Sequence, residues 1–63
     1  MSGRRLTDTE RLNRAAEVVA AALAAQRAGD PAEANQLYAH AVHAGVQPVE
    51  LSAEIIAQTG GQL

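Results

Sequence analysis

The chain has 63 residues, a net charge of −2, no cysteine and one aromatic residue, Tyr38. This length allows one small domain, whose core is barely sufficient for stability. The absence of cysteine excludes disulfides, zinc–thiolate sites and thiol catalysis. No segment has the run of about 18 strongly apolar residues that a membrane span needs, and no apolar segment typical of a secretory signal follows the N-terminal arginines. We therefore expect a cytoplasmic protein.

Alanine dominates the apolar composition. Apolar residues make up 48% of the chain, but fifteen of them are alanine. Alanine favours helix yet buries little area, and buried apolar area contributes only about 25 cal/mol per Å². We therefore expect a thinly stabilised monomer and a tendency to self-associate or to bind a partner. Abundant alanine and arginine without lysine suggests a GC-rich, bacterial genome.

Charge is distributed unevenly along the chain. Residues 1–27 contain all five arginines and three acidic residues, whereas residues 28–63 contain four acidic residues and no lysine or arginine. The first segment therefore carries +2 and the second −4. Solvated helix faces are the simplest interpretation. Attraction between the two segments, within one chain or between two chains, remains open.

The first predicted helix spans residues 8–28. Thr7 and Glu10 have the spacing of a capping box, in which each side chain accepts the other residue's backbone N–H. Gly29 supplies the left-handed residue that commonly ends a helix. One face of this helix is marked by apolar and small residues at helical spacing. These residues are Leu12, Ala15, Ala16, Val19, Ala22, Leu23 and Gln26.

The second predicted helix, residues 31–44, begins immediately afterwards. Asp30 is a good N-cap, Pro31 occupies the first helical position, and Glu33 completes a second capping box. Gly45 marks its end. Its apolar face comprises Ala34, Leu37, Tyr38, Ala41 and Val42.

A third, shorter helix is predicted at residues 48–58. Gln47 precedes it as a weaker cap, followed by Pro48. Because both connections are only a few residues long, neighbouring helices should pack antiparallel or at a steep angle. We expect flexible ends at residues 1–5 and 60–63. The third apolar face comprises Leu51, Ser52, Ile55 and Ile56.

The first two helices have features of a known repeat. Gly29-Asp30 forms the turn, Glu33-Ala34 opens the second helix, Tyr38 occupies an aromatic position, and Ala41-Val42 closes the unit. In these features residues 15–48 resemble one tetratricopeptide repeat, although Pro48 comes two residues later than that family's proline. The resemblance implies a helical hairpin used in protein binding. Such repeats need about three units for stability, so a single unit should dimerise or dock on another protein.

A second pattern supports a different function. Residues 41–51 resemble a DNA-binding helix-turn-helix, with a small residue followed by glycine and then aliphatic residues at its spacing. However, the predicted recognition helix carries Glu50 and Glu54 and no cation, whereas phosphate contacts supply much of the affinity for DNA. Under this alternative, a dimer would present basic residues of the first segment to the DNA backbone. These residues are Arg4, Arg5, Arg11 and Arg14.

Other candidate sites carry less weight. His40 and His43 are spaced to share a helix face and to begin a metal site, but no third ligand stands at helical spacing. Glu50 and Glu54 are more simply an acidic solvated face than an acid–base pair. Neither serine has a basic partner nearby in sequence. We therefore expect no enzymatic activity, no metal and no cofactor.

The sequence thus predicts an all-α domain of three helices that binds proteins as a homodimeric adaptor, a regulatory subunit or an inhibitor. Its interface would use apolar residues from all three helices. Tyr38 is the most ambiguous, because it can seal the first two helices together or anchor a partner. The candidate interface residues are Leu12, Val19, Leu23, Tyr38, Val42, Leu51, Ile55 and Ile56.

Overall fold

The chain forms three α-helices in a computed structural model that describes residues 6–61. They are α1 (Asp8–Arg27), α2 (Pro31–His43) and α3 (Pro48–Thr59). No strand occurs within residues 6–61. The all-α prediction is confirmed, and every helix end lies within one residue of its predicted position. Of the ends predicted to be flexible, residues 1–5 and 62–63 lie outside the described residues, while Gly60 and Gly61 form the turn that ends α3.

The helix starts follow the predicted caps, with one correction. At α1 the Glu10 N–H donates to Thr7 Oγ1 (3.1 Å) and the Thr7 N–H donates to Glu10 Oε1 (2.8 Å). At α2 the Asp30 carboxylate accepts the Glu33 N–H (3.1 Å). The predicted return bond from Glu33 does not form within the described part of the chain, because the Asp30 N–H already donates to the Ala25 carbonyl (2.9 Å).

Glycines in the left-handed region end the first two helices. Gly29 has φ +82° and Gly45 has φ +115°, a backbone conformation that side chains with a Cβ rarely adopt. After Gly45 the Val46 N–H donates to the Ala41 carbonyl (3.0 Å), which completes a Schellman motif. This reversal of the chain also places the Val46 side chain in the core, where only 1% of its surface remains exposed.

Helix α1 is the centre of the domain, since α2 and α3 both pack mainly against it. The core cluster is small, and within residues 6–61 four of the eight buried apolar residues are alanines. The core cluster comprises Ala15, Val19, Leu23, Ala41, Val46 and Leu51.

Side-chain contacts define the direction of α3. Arg11 of α1 contacts Glu50 near the start of α3, and the Gln58 amide near its end donates to the Ala16 carbonyl (3.0 Å). Helices α1 and α3 are therefore parallel where they pack together. The short connection of residues 28–30 reverses α2 against α1. The three helices thus run up, down and up.

Candidate interaction face on helix α3

Helix α3 is apolar on two sides, and only one of them is covered. Leu51 is 5% exposed and Ile55 is half-buried, so this side packs on the core. On the other side Val49 is 67% exposed and Ile56 is 58% exposed. Spacings of three and four residues place Val49 and Ile56 on one helix face with two exposed small residues. The residues of this "α3 face" are Val49, Ser52, Ala53 and Ile56.

The α3 face carries no charge, because both acidic residues of α3 lie elsewhere on the helix. Glu50 accepts a hydrogen bond from the Arg11 Nε (3.2 Å), and Glu54 Oε1 accepts one from the Gln58 amide (3.2 Å). Both glutamates are partly buried. An uncharged surface with two large aliphatic side chains is suited to burial against another apolar surface.

Arg11 and Glu50 join α1 to α3. The Arg11 guanidinium also contacts the Asp8 carboxylate and the Leu6 carbonyl. Glu50 Oε1 accepts the backbone N–H of Gln47 (3.0 Å), which caps the start of α3. This backbone bond, together with Arg11, lowers the pKa of Glu50 below its ordinary value, although partial desolvation opposes the shift. The two carboxylates raise the pKa of Arg11, so its guanidinium remains charged.

The lowered pKa of Glu50 predicts a loss of stability in acid. A carboxyl group whose pKa is lower in the folded state stabilises the fold above its ordinary pKa, here 4.5, and loses this contribution as the pH falls through its folded-state pKa. We expect the melting temperature to fall on acidification below that value. Thermal unfolding followed by circular dichroism across this pH range provides the measurement.

The matched control for this prediction is Glu50→Gln, which keeps an oxygen acceptor for Gln47 but removes the titrating group. This variant should be less stable than the wild type at neutral pH and should show a smaller fall of melting temperature in acid. Identical pH profiles for the two proteins would contradict a role of Glu50 in the acid sensitivity.

The eight residues predicted to form an interface separate into three groups. The buried group belongs to the chain's own core and is not available at its surface: Val19, Leu23 and Leu51. The half-buried group packs against the edge of this core: Tyr38 and Ile55. The exposed group offers one aliphatic side chain on each helix: Leu12, Val42 and Ile56. The exposed group is therefore the most accessible to a partner without a change of fold.

Val49 is the exposed apolar residue that the sequence-based prediction missed. Its spacing could have indicated it, because Val49 stands seven residues before Ile56, which is about two helical turns and places both residues on one face. The predicted face of the third helix grouped Ile56 with Leu51 and Ile55, whereas the structure turns Ile56 away from the core. Two opposite apolar stripes therefore share this short helix.

The arginines of the DNA-binding alternative occupy different environments. Arg4 and Arg5 lie outside the described residues. Arg11 is directed at Asp8 and Glu50, and Arg14 is exposed on α1. Within residues 6–61, Arg11 is therefore paired with carboxylates, whereas Arg14 is not.

Other features of residues 6–61 add no further site. His40 and His43 are exposed on α2, and no three His, Asp or Glu side chains in this range gather as a metal-binding group. An open depression is lined by Leu6, Arg11, Gly45 and Gln47. Within the same range, no helix combines the length and apolar character of a membrane span.

Comparisons with protein families, with curated proteins and with solved structures give no match to this chain.

Proposed function

We propose that this chain is a small, non-enzymatic module for protein–protein interaction, which binds another polypeptide through the α3 face. The observation that carries the proposal is the exposure of Val49 and Ile56 on one uncharged side of α3, while the opposite side of the same helix packs on α1. A helix that presents an apolar stripe to a partner is a common mode of recognition.

The small core supports the same proposal. Val19 and Val46 are the largest side chains that are fully buried within the described residues. Domains of this size often obtain additional stability from association. The hairpin of α1 and α2, with its resemblance to a single tetratricopeptide repeat, is consistent with a unit that packs against another chain. The expected setting is the bacterial cytoplasm, with the protein acting as an adaptor, regulatory subunit or inhibitor.

Replacement of Val49 or Ile56 by glutamate should weaken association at least tenfold. Burial of an aliphatic side chain of this size contributes about 1.5–3 kcal/mol, and a glutamate at the same place must lose its hydration on binding. Sedimentation equilibrium measures self-association. Size-exclusion chromatography with light scattering measures the mass of complexes recovered from the native extract.

Ala24→Glu is the matched control, because it adds the same charge at an exposed position within α1. It should leave both measurements at wild-type values, and circular dichroism should confirm that all variants remain helical. The proposal is wrong if wild-type protein is monomeric and recovered without a partner. It is equally wrong if the glutamate variants at positions 49 and 56 bind as the wild type does.

A further inference from the structure

We draw no further inference here: the strongest candidate, the uncharged apolar surface patch on the exposed side of α3 formed by Val49, Ser52, Ala53 and Ile56, belongs to the site already described, and nothing in the structure shows what covers it.

Discussion

Replacement of Leu51 by alanine is expected to leave the domain largely unfolded at room temperature, so that it shows no cooperative unfolding transition. Leu51 is 5% exposed and is the buried residue of α3. A buried Leu→Ala change costs about 2–5 kcal/mol, while domains of this size rarely have more than about 3–5 kcal/mol of stability in total. Thermal and urea unfolding, followed by circular dichroism, provide the measurement.

Val49→Ala is the control on the opposite side of the same helix. Because Val49 is 67% exposed, its truncation should change stability by no more than about 0.5 kcal/mol. Both variants should be measured at low micromolar concentration, to keep any association through the α3 face small. Equal stability of the two variants would show that α3 does not depend on Leu51 for its attachment to α1.

The helix boundaries were predictable because their signals are local. Thr7 with Glu10, Asp30 with Pro31, and the glycines at 29 and 45 each act within one helical turn, so spacing alone identifies them. The Glu33 correction shows the limit of such rules, since two motifs in a short connection compete for the same Asp30 N–H. A boundary can therefore be correct while one of its hydrogen bonds is assigned wrongly.

The contacts between helices were not predictable in the same way. Arg11 and Glu50 are 39 residues apart, and no local pattern pairs them. Val46 lies in the connection between α2 and α3, yet the reversal at Gly45 places it in the core. The two stripes of α3 could be recognised as apolar, but only the packing on α1 decides that Leu51 is buried and Val49 is exposed.

Helical spacing identified the buried alanines, which composition alone does not distinguish from the exposed ones. Of fifteen alanines, four are fully or almost fully buried, and all four stand on the predicted apolar faces of the first two helices: Ala15, Ala22, Ala34 and Ala41. Ala22 on α1 and Ala34 on α2 have no exposed surface, and each stands within two helical turns of the connection that joins the hairpin. A small side chain at these positions allows the two helices to approach closely.

Ala34→Leu should therefore destabilise the hairpin. The change adds three carbon atoms where the alanine is already completely covered, so α1 and α2 must move apart or the leucine must adopt a strained rotamer. Such overpacking costs about 1–3 kcal/mol, which in a domain of this size lowers the melting temperature by about 5–20 °C. Differential scanning calorimetry on the dilute protein measures the change.

Ala39→Leu separates this steric effect from that of leucine itself. Ala39 lies on the same helix but is exposed, and leucine is nearly as good a helix former as alanine. This control should change the melting temperature little. A wild-type melting temperature for Ala34→Leu would mean that α1 and α2 can move apart with no loss of stability. Close packing of α1 on α2 would then contribute nothing to the free energy of unfolding.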